Sequence, residues 1–389
     1  MKKILIVNNN MNIGGIQKAL VNLLTALSER DDEKYEIDLL LFEKAGELLD
    51  DIPVNINVIS GNFWTRILGM SNAEARRSGA LIHLNRSFWT VLTRIFKTRF
   101  TFGCLSRLQR LKDSYDCAIS YVQGGRERVF YGGCAEFVLN SVRADKKVYF
   151  VHCDFLEYGG NCAYNRRILE KFDSIAAVSA SAAGHLRAAV PSISDKVVTV
   201  HNCCDFKRTK AMAEEYAAEY TDGKVNLFTA ARLHSEKGIL RMLPILKSLK
   251  NDGLRFVWRV AGDGPDRAET ERLIDELELN GEVILLGSLK NPYPYFKKSD
   301  VLLVPSYNEA APMVFNEARA FGTPIFTTDT SSAVEMVKNT HSGVVCENTD
   351  KGIETALKEY IRDFVPHKNS AEFIDNSAAL EEFDSLITD

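Results

Sequence analysis

A chain of 389 residues exceeds what one hydrophobic core ordinarily organises, so two domains are the starting expectation. Its 46% hydrophobic and 26% charged content is that of a globular protein, and no apolar run reaches the 18 residues of a transmembrane helix. With a net charge of −4 nucleic acid is a poor partner, and eight scattered cysteines without a C-x-x-C pair give no zinc-finger spacing, so no metal site is expected.

The opening MKKILIVNNN is basic and then apolar, but its apolar run covers only 4–7, which suits a first β-strand better than a secretory leader. Gly14-Gly15 then opens a helix with apolar residues at 16, 19, 20, 23, 24 and 27, a 3.6-residue period. Strands follow at 37–41 and 55–59. Residues 61–112 break the pattern: ten Lys or Arg stand there against one acid, Glu74, and Phe63, Trp64, Phe88, Trp89, Phe96, Phe100 and Phe102 are interleaved with them. Cations mixed with rings suit an anionic membrane surface, while a solvated helical face over core aromatics is the plainer explanation. Strands resume at 117–120, 148–151, 175–178 and 197–200. Cys117 and Cys346 read as small core residues of a reducing compartment.

The acidic, Ala-rich stretch 210–223 reads as the join between halves and ends in the turn Thr221-Asp222-Gly223. Beyond it, strands at 226–230, 256–261, 283–286, 301–304, 324–327 and 344–345 alternate with helices at 239–250, 266–279, 313–321 and 349–361. Alternating βα units imply parallel sheets covered on both faces. The expected division is 1–207 and 208–369, with a helical tail from about 370 that packs back on the first domain.

Four loops at strand ends of the second half carry chemistry. The first, ARLHSEKG at 231–238, sets Arg232 and Lys237 around a turn, and Gly238 lets backbone approach a ligand. Together they could clamp a diphosphate, each charge-assisted bond contributing about 1.5–3 kcal/mol. The second is the tight turn Gly262-Asp263-Gly264-Pro265. The third, Leu286-Gly287-Ser288, offers main chain to a base edge. The fourth, NEAAPMVFNE at 308–317, enters a helix whose first turn should hold Pro312. Ala311, Pro312, Met313 and Val314 mark that helix start, which suits an anion, with Glu309 before it and Glu317 beyond it. No D-x-D occurs, so the cationic pair must neutralise a leaving diphosphate. In the first half Gly14-Gly15 leaves bare N–H groups at a helix start, and His152 ends the strand KKVYFVH. Taken singly, these two read as an ordinary turn and a hydrogen-bonded strand-end histidine.

Together, ARLHSEKG, AGDGP, LLGSL and the E-x7-E segment resemble the retaining glycosyltransferases of family 4. The early Gly-Gly, VHCD at 151–154 and HNCCD at 201–205 extend the likeness loosely into the first half. The resemblance implies an α/β, GT-B fold: two Rossmann-like βαβ domains facing one another across a central cleft. It implies transfer of a sugar from a nucleotide-sugar, with anomeric configuration retained and neither metal nor cofactor. Arg232 and Lys237 would then hold the diphosphate, Glu309 the donor-sugar hydroxyls and Glu317 the ribose. His152 would meet the donor sugar near the reacting carbon, and Gly15 would pack on the diphosphate. Ala310, Gln17 and Cys203 depart from the pattern, where Gly, an acid and Gly are usual.

The reading is therefore a metal-independent retaining hexosyltransferase of cell-surface polysaccharide or glycolipid assembly. Its partners would be a UDP-sugar donor, a saccharide or lipid-linked acceptor and an anionic membrane contacted through 61–112. It would be cytoplasmic and peripheral on the inner face of the cell membrane. A non-catalytic nucleotide-sugar-binding subunit that activates a partner transferase is the alternative. A phosphorylase lacks a marked cofactor lysine, and a dinucleotide oxidoreductase would need G-x-G-x-x-G where N-x-x-G-G stands.

Overall fold

The computed structural model describes residues 1–30, 32–369 and 375–388. They form two compact units, one of Met1–Cys203 with Asn376–Asp389, the other Cys204–Asp375.

Unit 1 alternates β1 (Lys2–Asn8), α1 (Gly15–Ser28), β2 (Tyr35–Leu41), β3 (Asn57–Ser60), α2 (Asn72–Arg77) and α3 (Ala80–Leu105). It continues with β4 (Ser114–Ser120), α4 (Cys134–Ser141), β5 (Arg143–Val151), α5 (Ala163–Leu169), β6 (Ser174–Ala177), α6 (Ala180–Ala189) and β7 (Val197–Thr199). Among the described residues the strands form one parallel sheet ordered β3-β2-β1-β4-β5-β6-β7. Ile4, Leu5, Ile6 and Val7 of β1 are wholly buried in succession, as a strand covered on both faces requires. The apolar stripe of α1, Leu20, Leu23, Leu24 and Leu27, packs over Ile4, Ile6 and Leu39. Burial pushes the Cys117 thiol up to about 12, and none of the eight cysteines is bonded to another.

Unit 2 comprises α7 (Phe206–Met212), β8 (Val225–Ala230), α8 (Ile239–Asn251), β9 (Phe256–Ala261), α9 (Arg267–Glu276), β10 (Val283–Gly287) and α10 (Tyr293–Lys298). Then come β11 (Val301–Val304), α11 (Met313–Ala320), β12 (Ile325–Thr328), β13 (Gly343–Cys346) and α12 (Asp350–Arg362). Its parallel sheet runs β10-β9-β8-β11-β12-β13 among the described residues. In each sheet the order reverses beside the first strand, between β1 and β4 and between β8 and β11. Loops at the carboxyl ends of those strands flank a natural crevice.

Stretch 210–223 is not a join. It belongs to unit 2, where Tyr216 donates to the Asn291 carbonyl (2.6 Å) and the Tyr220 hydroxyl reaches Asp300 (3.1 Å). Helix α9 stops at Glu276, short of 279, because Glu278 takes a left-handed φ of 55°. The expected tail helix is α13 (Ser377–Thr388). It belongs to unit 1, burying Phe383, Leu386 and Ile387 in that unit's core, while the 370–374 part of the expected helix lies outside the described residues. Asp384 anchors it, accepting from Arg30 (2.9 Å), Lys34 (2.7 Å) and the Tyr35 hydroxyl (2.7 Å).

The basic segment is largely helical. Ser71 and Glu74 cap α2 reciprocally, the Ser71 hydroxyl accepting from the Glu74 N–H while the Glu74 carboxylate accepts from the Ser71 N–H. Helix α3 kinks at Lys97 (φ 66°). Two of the seven aromatics leave the surface set: Phe102 is buried edge-on to Phe130, and Trp89 is half-buried. Arg86 is likewise internal, donating to the carbonyls of Met70 (2.8 Å) and Phe130 (3.0 Å). No helix among the described residues is long and apolar enough to cross a membrane.

Candidate active site

The chemistry of unit 2 gathers where β8 and β11 end side by side. The chain leaving β8 makes a short turn over Ser235–Lys237 and reaches Gly238 with φ +68°. Gly238 is required by the protein's own backbone: a Cβ there would lie 2.0 Å from the Pro305 carbonyl oxygen in the loop after β11. Only glycine lets the two loops close to this distance. Tyr307 N–H then donates to the Glu236 carbonyl (2.9 Å), stitching them further. The Arg241 guanidinium lies 4.2 Å above the Tyr307 ring and donates to Asn348 (2.9 Å), fixing the outer side.

This closure unites two predicted residues that are 72 positions apart: Lys237 Nζ lies 2.7 Å from Glu309 Oε1. The same oxygen accepts from the Ser306 hydroxyl (2.7 Å), and the Glu309 carbonyl accepts from Ser331 (2.8 Å) and Ser332 (3.3 Å). The side chains of Lys237 and Glu309 are 23% and 11% exposed, so their attraction is only partly screened by water. Arg232 differs. Its side chain is 70% exposed and only loosely paired with Glu236 at 3.6 Å, leaving a largely solvated cation in the same loop.

Gly262 and Gly264 are also packing glycines. Added Cβ atoms would lie 1.9 Å from the Ala231 carbonyl oxygen and 2.2 Å from that of Leu233. Leu233 N–H donates to the Asp263 carbonyl (3.0 Å), so the second loop buttresses the first. Leu286 is half-buried, and the Gly287 carbonyl, expected to face a base, accepts from Gly262 N–H at 2.7 Å. Pro312 sits one residue before α11 rather than in its first turn, because its ψ of 123° is extended. Ala311 and Val314 are half-buried, Met313 is buried, and Glu317 is buried one turn into the helix at 6% exposure.

Unit 1 contributes a separate group. Gly14 precedes α1 in extended backbone, and a Cβ on Gly15 would meet nothing within 4 Å, so the start of α1 is open. His152 packs against Tyr121 (4.6 Å between centroids) and stacks near Phe150 (5.8 Å). Burial pulls its pKa down to about 4, while a hydrogen bond to the Tyr121 backbone opposes the shift, so the imidazole is neutral near pH 7. Its Nε2 has no hydrogen-bond partner among the described residues.

Sequence reasoning missed Ser306, which orients Glu309, and the pair His185 Nδ1–Asp154 Oδ2 (2.6 Å), whose carboxylate lies two residues after His152 in the chain. Ser306 was legible only as a turn residue, and nothing in the spacing links positions 154 and 185. Among the described residues no three His, Cys, Asp or Glu side chains gather as a metal site.

Residues 214–379 match the family of glycosyl transferases group 1. The chain carries a glycosyltransferase domain. That domain is of a glycosyltransferase-type enzyme. EpsF of Bacillus subtilis, assigned to the glycosyltransferases, is 25% identical over 336 residues, 84% of this chain and 79% of its own. CapM of Staphylococcus aureus, a capsular polysaccharide biosynthesis glycosyltransferase, is 28% identical over 34% of this chain and 35% of its own. The solved structure of Anabaena HepE in complex with UDP and glucose superposes with a TM-score of 0.62 at 16% identity, over 93% of this chain and 90% of that one. At that identity the likeness shows the fold, two parallel-sheet Rossmann-like domains of the GT-B class.

Proposed function

We propose that the protein is a metal-independent, retaining glycosyltransferase that takes a sugar from a UDP-sugar. Its acceptor is a glycan or lipid-linked saccharide of cell-surface polysaccharide assembly, and it works in the cytoplasm against the inner face of the membrane. The observation that carries the reading is the Lys237–Glu309 pair at the β8/β11 switch point of a glycosyltransferase domain. The names of CapM and of the HepE complex support the polysaccharide role and the UDP donor.

In this scheme the anomeric C–O bond breaks with its electron pair passing to the diphosphate oxygen. Arg232 and Lys237 stabilise the charge that develops there, a contribution largest in the transition state. The acceptor hydroxyl bonds to the same face of the anomeric carbon and gives its proton to the leaving phosphate oxygen. Glu309 holds Lys237 in place and presents its remaining oxygen to sugar hydroxyls, while Glu317 takes the ribose. No side chain forms a covalent intermediate. His152 and Gly15, in unit 1, are assigned to the donor sugar and diphosphate, a claim tested by their own substitution.

A thermal-shift screen over UDP-, GDP- and ADP-sugars identifies the donor. The purified chain alone should then release UDP from it with EDTA present. Activity abolished by chelation, or no turnover without a partner protein, would overturn the reading.

A further inference from the structure

Helix α3 is built inside out. Its buried side is rich in polar groups: Arg86 is held by backbone carbonyls, and the Thr93 hydroxyl bonds that of Thr101 (2.8 Å) across the Lys97 kink. Its solvent side carries Leu81, Leu84, Phe88, Val91 and Ile95, spaced 3-4-3-4 along one face, each between 53% and 75% exposed. An amphipathic helix on a globular core has the opposite arrangement. The row extends about 21 Å at 1.5 Å per residue. Across the kink, Phe96 before it and Phe100 beyond it form a tilted ring pair (5.4 Å), both exposed. Phe63 and Trp64 adjoin the row, because Asn85 donates to the Phe63 carbonyl (3.4 Å). A contiguous apolar surface of this extent marks an interaction site.

We infer that this row is the element that enters an anionic lipid surface, α3 lying in the interfacial plane with its leucine–phenylalanine face in the acyl boundary. The inference deepens the membrane placement proposed above and names the residues that achieve it. Charge decides the occupant. Arg76, Arg77, Arg94 and Arg99 are exposed around the row. The segment's sole acid, Glu74, is already engaged by Ser71 and by Asn12 (2.8 Å). Pairing this face with a second copy would set two like-charged rims against each other, whereas phosphate headgroups complement them. Lys97 contributes less, since it pairs with Glu127 at 3.1 Å.

Vesicle sedimentation of the full chain tests the inference and needs neither donor nor turnover, so its failure is distinct from failure of the transferase reading. The wild type should sediment with phosphatidylcholine vesicles containing phosphatidylglycerol and much less with phosphatidylcholine alone. Raising salt from 0.1 to 1 M shortens the screening length from about 10 to about 3 Å and should weaken binding. Phe88→Ser with Ile95→Ser, both at solvent, should leave the melting temperature intact and lower the partition coefficient by about tenfold or more. Arg94→Glu with Arg99→Glu should lower it only for anionic vesicles. Equal sedimentation of wild type and the Phe88/Ile95 variant overturns the proposal. So does a lipid-free dimer that the same variant dissociates, since the row would then belong to a second copy.

Discussion

Gly238→Ala separates two costs that usually travel together. Both Gly238 (φ +68°) and Gly253 (φ +79°) occupy left-handed backbone, where a side chain costs about 1–2 kcal/mol. A Cβ on Gly253 meets nothing within 4 Å, whereas on Gly238 it would sit 2.0 Å from a backbone oxygen. Real Cβ atoms essentially never approach closer than 3.0 Å, so the loop after β8 must retreat by about 1 Å from Pro305. Lys237 is the adjacent residue, and Ser306, which fixes Glu309, adjoins Pro305, so the retreat pulls the ion pair apart from both sides. A misplacement of about 1 Å costs a catalytic group about 100-fold in rate. Gly253→Ala should therefore lower Tm by about 2–8 °C and leave kcat unchanged. Gly238→Ala should lower Tm at least as much and kcat by roughly two orders of magnitude. UDP release from the donor found by thermal shift, beside calorimetric melting of both variants, gives the answer. If Gly238→Ala kept kcat within threefold of wild type, or if Gly253→Ala were equally inactive, the argument from loop closure would be wrong.

Lys237→Ala should reduce kcat by about 10²- to 10³-fold with little change in KM, and Lys237→Arg should restore part of it; steady-state kinetics check this. Asp384 is subject to burial, which raises its pKa, but hydrogen bonds from Arg30, Lys34 and Tyr35 outweigh this and hold it down to about 2. Its contribution is therefore complete above the ordinary 3.8 and fades as pH falls through about 2. Asp384→Asn should cost about 2 kcal/mol in urea titrations at pH 7, a difference that vanishes near pH 2. For His152 the sign is reversed: the unfolded chain takes up its proton near 6.5 and the folded one near 4. Stability should then fall as pH drops from about 6.5 to about 4 and level off below; His152→Gln should remove roughly 3 kcal/mol of that pH-dependent loss.

The local pattern of the chain was enough to set its βα alternation. Short continuous apolar runs such as 4–7 and 301–304, bounded by polar and turn residues, suit strands buried on both faces, and the 3.6-residue spacing of 16–27 suits a helix that buries one side. The residues of the β8 and β11 loops were also legible, since cations and carboxylates beside glycines at strand ends are chemically conspicuous. What those glycines do was not. Gly238 reads as a place where backbone meets a ligand and Gly262-Asp263-Gly264 as a tight turn, but each of the three glycines is also required by a carbonyl of the neighbouring loop, a contact set by strand order and not by sequence distance. Stretch 210–223 escaped for the same reason, because composition marks a linker but only long-range packing assigns it to a unit. The facing of α3 needed the fold as well: a period shows that a helix has two sides, and only tertiary contact decides which one meets water.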